Sequence, residues 1–143
     1  VGLGSTTACG GPEYRMEVPD GFTRYHNTEG YKLITADGVR LKVREVDNYP
    51  KASLDFWLDA MKRHPDARGY RFKSEQCFET AGKLPGCRAD FLVPHGIEDW
   101  VLSETIFVRG DKVILVEAAG PFERYAKIEE ALTKALESFR RLE

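Results

Sequence analysis

The sequence predicts an α+β domain, an antiparallel β-sheet meander flanked by two amphipathic helices as an αβα sandwich. Three observations predict it. Hairpin-type turns follow one another at Gly82–Gly86, Pro94-His95-Gly96 and Gly110-Asp111, and successive hairpins build an antiparallel meander. Two segments, opening at Ser53 and at Gly120-Pro121, space their apolar residues at the helical period. At 143 residues, residues 13–143 form a single domain, with no length left for a second core.

The elements follow in order. Tyr14–Val18 reads as a short strand ended by Pro19-Asp20-Gly21, a turn triplet. Phe22–Tyr25 and Tyr31–Thr35 are further short strands around an Asn27–Gly30 turn, and Asp37-Gly38 fits a tight hairpin turn. Val39, Leu41 and Val43 then alternate with Arg40, Lys42 and Arg44, the pattern of a strand wet on one face. Ser53 suits a helix N-cap and Asp55 the first turn. Leu54, Trp57, Leu58 and Met61 make one apolar stripe, and Pro65 is expected to stop the helix.

Strands are expected at Tyr70–Glu79, Cys87–Val93, Trp100–Arg109 and Lys112–Ala118. The run Val113-Ile114-Leu115-Val116 suggests burial on both faces of the last one. Pro121 is preset for the first turn of the final helix. Tyr125, Ile128, Leu132, Leu136 and Phe139 mark its buried face, widened by Ala131 and Ala135. On its other face Glu123/Lys127, Glu130/Lys134 and Glu137/Arg141 are spaced as i, i+4 pairs, each contributing about 0.2–0.5 kcal/mol when formed.

Hydrophobic residues make up 42% and charged residues 31% of the chain, and 21 basic against 23 acidic side chains leave a formal charge of −2. No block of like charge stands out, which argues against nucleic acid and against an anionic membrane surface as partners. No apolar run reaches the length of about 18 residues that a membrane-spanning helix needs.

Residues 1–12 carry no charge and are rich in Gly, Ser and Thr, so they read as a flexible leader outside the domain. Ala8-Cys9-Gly10 resembles the bacterial lipobox, whose cysteine is acylated and becomes the mature N-terminus. Thr6 departs from that pattern, where an aliphatic residue is usual. Cys9 is thus the lipid-attachment candidate and the one expected link to a membrane. Cys77 and Cys87 are then an even pair, the candidates for a disulfide in an oxidising compartment. The segment between them is symmetric about Gly82, as in a hairpin. Strand parity speaks the other way: Cys87 alternates with Ala89, Phe91 and Val93, whereas Cys77 alternates with Arg71, Lys73, Glu75 and Glu79. A bridge therefore calls for a bulge or register change near the turn, and two free thiols are the alternative.

The order of elements, with Val18-Pro19-Asp20-Gly21-Phe22 after the first strand, the capped helix around Trp57 and the closing run from Gly110 to Pro121 before a helix ending near Phe139, resembles the PsbP-like fold shared with the Ran-binding Mog protein. More narrowly it is similar to bacterial DcrB-like lipoproteins. The resemblance covers residues 14–142. It implies an αβα sandwich and a binding, assembly or chaperone-like role, and it transfers no catalytic residue.

His26, His64 and His95 are not spaced as ligands on one element, so no metal or other cofactor is expected. There is no nucleophile elbow, and Gly82-Lys83-Leu84-Pro85-Gly86 precedes a strand rather than a helix, unlike a phosphate-cradling loop. Glu98-Asp99, or Glu104 with Glu117, read as exposed acids on a sheet. Tyr49, His95 and Trp100 sit at loop–element junctions and form the candidate contact cluster for a protein partner or small ligand. The expectation is a non-enzymatic, exported, lipid-anchored envelope module. The alternatives are a cytoplasmic adaptor for secreted effectors and a weak hydrolase or metal-dependent enzyme.

Overall fold

A computed structural model of the protein describes residues 8–9, 14–24, 32–66 and 69–141. Among these residues ten strands and three helices follow one another. They are β1 (Ala8–Cys9), β2 (Tyr14–Glu17), β3 (Phe22–Arg24), β4 (Leu33–Thr35), β5 (Arg40–Asp47), α1 (Leu54–Asp66), β6 (Arg71–Glu79), β7 (Pro85–His95), β8 (Glu98–Arg109), β9 (Lys112–Pro121), α2 (Phe122–Ala126), α3 (Glu129–Glu137) and β10 (Arg140–Arg141). Seven strands form one antiparallel sheet in the order β3-β4-β5-β9-β8-β7-β6. A small second sheet sets β2 between β1 and β10.

The predicted meander is present as β6 to β9, with its turns at Gly96 (φ 65°) and Gly110 (φ 61°) in the left-handed region that glycine tolerates. The large sheet buries both faces. Ile114, Val116 and Ala118 of β9 point into the larger core with Leu41, Val43, Phe107, Leu132 and Phe139. Val113 lies in a smaller core with Cys87, Ala89, Phe91 and Ile106 beneath Leu58 and Met61 of α1, and Leu115 packs against it. Helices therefore cover opposite faces, as the alternation in β9 requires.

The helical count differs from the expectation. Among the described residues three helices are present instead of two, because the last one divides at Lys127-Ile128. Lys127 N–H donates to the Arg124 carbonyl and Ile128 N–H to the Tyr125 carbonyl, bonds one residue tighter than α-helical. No glycine or proline marks this break; both Tyr125 and Ile128 sink into the core across it. Pro121 does not open a first turn: at φ −55° and ψ 142° it is still extended and ends β9. The i, i+4 pairs on this segment form no ion pair among the described residues, and Arg141 lies in β10 instead of on the helix. Ser53 does cap α1, accepting from Phe56 N–H at 3.3 Å. The helix continues through Pro65 to Asp66, since a proline in a final turn forfeits only one donor.

Within the leader, Ala8 and Cys9 pair with Glu17 and Met16 as β1. The remainder of residues 1–12, the Cys9 side chain, His26 with the Asn27–Gly30 turn, and the His64 side chain lie outside the described residues.

Candidate functional site

The β7–β8 hairpin is the longest feature of the meander, and its tip projects a rim at one end of the sheet. Gly96 turns the chain so that His95 stands opposite Glu98, Pro94 opposite Asp99 and Val93 opposite Trp100. Trp100 also pairs with Pro121 on its other side, so β9 ends beside the rim and the chain enters α2 there at Phe122. Ile97 at the tip is fully exposed (107%) and Phe122 half exposed (46%).

Alternation gives the rim two faces. On the α1 side the His95 and Trp100 rings touch, their centroids 4.8 Å apart. The Trp100 indole Nε1 is buried with no hydrogen-bond partner among the described residues. On the other side a cleft of about 460 Å³ opens between the hairpin and α2. Leu92, Pro121 and Phe122 supply its apolar lining and Glu98, Asp99 and Glu123 its acidic lining. Arg124 also lines it, but its Nη1 donates to the Asp37 carbonyl at 3.2 Å. The Lys73 ammonium reaches from β6 to 5.1 Å from the Phe122 ring centroid, within cation–π range.

Tyr49 does not join this cluster. Asn48 N–H donates to the Asp111 carbonyl at 2.8 Å, which fixes Tyr49 at the β8–β9 turn, the opposite end of the sheet. The length of β8 from Trp100 to Arg109 separates the two, about 30 Å at the usual rise per residue. Sequence proximity to a helix start carried no information about which end of the sheet that start occupies. Tyr49 is itself strongly exposed (85%). Its neighbour Asn48 is buried and uses its whole amide: Nδ2 donates to the Ala52 and Gly110 carbonyls, and Oδ1 accepts from Ala52 N–H and from Trp57 Nε1 at 2.7 Å.

One buried polar cluster, outside the candidates that the sequence offers, gathers around Arg88. Arg88 makes a bidentate pair with Asp90, at 2.9 Å and 3.2 Å, and donates to the Tyr125 hydroxyl at 3.0 Å and to Thr133 Oγ1 at 3.2 Å. Glu129 lies 3.4 Å from the same guanidinium. Burial weighs most against the charge on Arg88, but Tyr125, Asp90 and Glu129 together outweigh it and hold its pKa above the ordinary arginine value. Burial, reinforced by Asp90 against the opposing pull of Arg88 and Ser103, pushes the Tyr125 phenol up to about 12. Every charge in the cluster has its partner, so it pins α2 and α3 to β7 and offers little to a ligand. The signal available was the Arg-x-Asp spacing on one strand face together with a tyrosine on the apolar face of the last helix, whose hydroxyl needs a partner.

Cys77 and Cys87 are joined by a disulfide. They stand directly opposite each other in the β6–β7 ladder, and no irregularity lies between them and the turn. The register shift falls at the other end of β6, between Phe72 and Ser74. Polar neighbours do not put Cys77 on the opposite face, because β6 is an edge strand: Glu75 and Glu79 are exposed although they share the Cys77 side, and a polar residue there reports the sheet margin.

His95 and Glu98 neighbour each other across the hairpin, but both are exposed. Among the described residues no three His, Cys, Asp or Glu side chains converge as a metal site. No helix among them is long and apolar enough to cross a membrane.

No family model matches the chain, and no curated protein matches it in sequence. Its fold does match solved structures. LpqN, involved in cell envelope biogenesis of Mycobacterium tuberculosis, superposes with a TM-score of 0.70 at 12% identity, over 96% of this chain and 90% of that one. PA94 from Pseudomonas aeruginosa gives 0.63 at 11% identity, over 92% and 94%. The cyanobacterial PsbP of Synechocystis gives 0.59 at 13% identity, over 90% and 86%. At these identities the likeness is one of fold, and the chain has the PsbP-like α+β fold.

Proposed function

We propose that this protein is a non-catalytic binding module of the bacterial cell envelope, lipid-anchored through Cys9 and similar in role to DcrB-like lipoproteins, which engages a protein partner through the β7–β8 rim. The observation that carries the binding role is the pair of exposed apolar side chains, Ile97 and Phe122, flanking the cleft. Exposed aliphatic and aromatic groups beside a concave surface are the usual anchors of an interface. The envelope assignment is supported by the lipobox-like Ala8-Cys9-Gly10, by a disulfide suited to an oxidising compartment, and by the fold shared with LpqN.

Two experiments test the two halves. Intact mass of the protein from its native host, with and without reduction before thiol alkylation, is expected to show loss of the residues before Cys9, acyl mass on Cys9, and Cys77 and Cys87 alkylated only after reduction. An unmodified chain with three free thiols would instead place it in the cytoplasm and favour the adaptor reading. A photo-crosslinking residue at position 97 is expected to capture a partner in the membrane fraction, and Ile97→Asp in an otherwise native chain is expected to abolish co-purification of that partner.

A further inference from the structure

Resting on the reading that Cys9 carries a lipid anchor, we infer that the protein stands on the bilayer by one end of its large sheet. That end is the one with the β6–β7 and β8–β9 turns, and the β7–β8 rim is held out in the aqueous compartment, where its partner is a water-soluble protein segment. The attachment point selects the end. Cys9 is not on a free tether, because its backbone pairs with Met16 of β2. Two residues before Met16, the Tyr14 ring stacks on Phe139 at 5.2 Å, and Phe139 stacks on Phe107 at 4.1 Å. Phe107 stands opposite Gly86, beside the β6–β7 turn. Gly82 of that turn packs on β10, where an added Cβ would lie 2.9 Å from Arg140 Cβ. From Phe107, β8 runs back to Glu98 before the tip at Ile97, about 30 Å at the usual rise per residue. An acyl chain at Cys9 therefore sets the turn end against the headgroups and leaves the rim remote from them.

The side chains at the two ends suit this pose. Arg140 and Arg141 of β10 are exposed, as is Lys83 on the adjoining turn, and none of the three forms an ion pair with a described residue. Such side chains lay an aliphatic stem in the interfacial layer while the charged head meets lipid phosphate. Tyr49 stands at the same end, since Asn48 N–H holds the β8–β9 turn through the Asp111 carbonyl, and it is 85% exposed. A phenol ring has an apolar body and a polar tip, the combination enriched in the headgroup layer. The end carries acids too, Glu17, Glu79 and Asp111 among them. The anchor therefore supplies the attraction, and the cations with the ring set the pose. The rim is equipped differently: Ile97 at its tip is followed by the exposed carboxylates of Glu98 and Asp99, which oppose contact with a phosphate layer and are costly to strip of water.

The Cys77–Cys87 bridge leaves Cys9, the third cysteine of the chain, as the thiol to couple. The isotope-labelled full chain is joined through Cys9 to a maleimide lipid in a phosphatidylcholine–phosphatidylglycerol nanodisc that also contains a lipid with a paramagnetic headgroup. Loss of the amide signals of Tyr49, Lys83, Arg140 and Arg141 is expected, with those of Ile97, Glu98 and Asp99 retained. In the variant Tyr49→Ser with R140Q and R141Q the tether remains and the pose is lost, so broadening is expected to spread along β8. Broadening centred on Ile97, broadening spread evenly along β8 in the native chain, or a variant with the native pattern would each overturn the inference. In the native host a photo-crosslinking residue at position 49 is expected to give lipid adducts and one at position 97 protein adducts; lipid adducts at 97 would overturn it as well. Chemical coupling supplies the lipid whatever the host does, so the pose is read independently of acylation. Native protein without acyl mass on Cys9 would remove the anchor reading and the inference with it, whereas a wrong pose on the nanodisc sinks the inference alone.

Discussion

The Trp57 indole donates to Asn48 Oδ1 at 2.7 Å, joining the first turns of α1 to the loop that leaves β5. The same oxygen accepts from Ala52 N–H, and the amide nitrogen serves the Ala52 and Gly110 carbonyls. One buried asparagine thus sets the path from β5 into α1 and ties it to the β8–β9 turn. Asn48→Ala leaves an indole donor and backbone groups of both loops unserved, and is expected to cost about 2–3 kcal/mol. Urea unfolding followed by tryptophan fluorescence measures it. A loss near zero would mean that solvent replaces the amide.

Tyr125 makes the alkaline limb of stability specific. Its phenol ordinarily ionises at 10.0 and is raised to about 12 in the fold, chiefly by burial. A raised folded pKa gives stability that is fully present below pH 10 and is lost as pH climbs through 12. The expected result is a melting temperature that falls more steeply over that range in the native protein than in Tyr125→Phe. Equal slopes in the two proteins would show that the phenol ionises unhindered.

Gly86 lies under a ring. A Cβ there would come within 2.5 Å of Phe107 Cε1. That ring cannot yield, because it stacks on Phe139 at 4.1 Å and meets the edge of Phe78 at 6.0 Å. Gly86→Ala is expected to destabilise by about 1–3 kcal/mol through overpacking. In a Phe107→Leu background the same change should cost less. Chemical denaturation of the four-member cycle would reveal the coupling, and strict additivity would refute the contact.

The Cys77–Cys87 bridge closes a segment with a sequence separation of 10. Cross-linking a loop of that size is worth about 3 kcal/mol in the chain-entropy account. Cys77→Ser with Cys87→Ala is expected to lower stability by roughly that amount, and amide exchange should rise along β6 before it rises in β8. Uniform acceleration across the sheet would show that β6 is not a separately opening unit.

How far the sequence carried the fold follows from where local rules apply. Gly38, Gly96 and Gly110 adopt positive φ at the predicted turns, and the Leu54–Met61 stripe buries Leu58 and Met61 as spaced. Local chemistry decides both features. The division of the last helix at Lys127-Ile128 has no breaker residue to announce it. The polar neighbours of Cys77 reflect β6 being an edge strand, and strand order is a non-local property. Of the candidate contact residues His95 and Trp100 touch, but Tyr49 is at the far end of the sheet, and Asp99 and Glu123 come together only through the pairing of β8 with β9. Tertiary register, which no spacing in one dimension records, supplied the remainder.

The clasp of β2 by β10 bears on the timing of synthesis. Tyr14 pairs with Arg141, and its ring stacks on Phe139 at 5.2 Å. Met16 between β1 and β10 is fully buried. The first body strand therefore has only the two residues of β1 beside it until Arg140 and Arg141 are made. Closure of this part of the core waits on residues 139–141, and everything made before them stands without it until then.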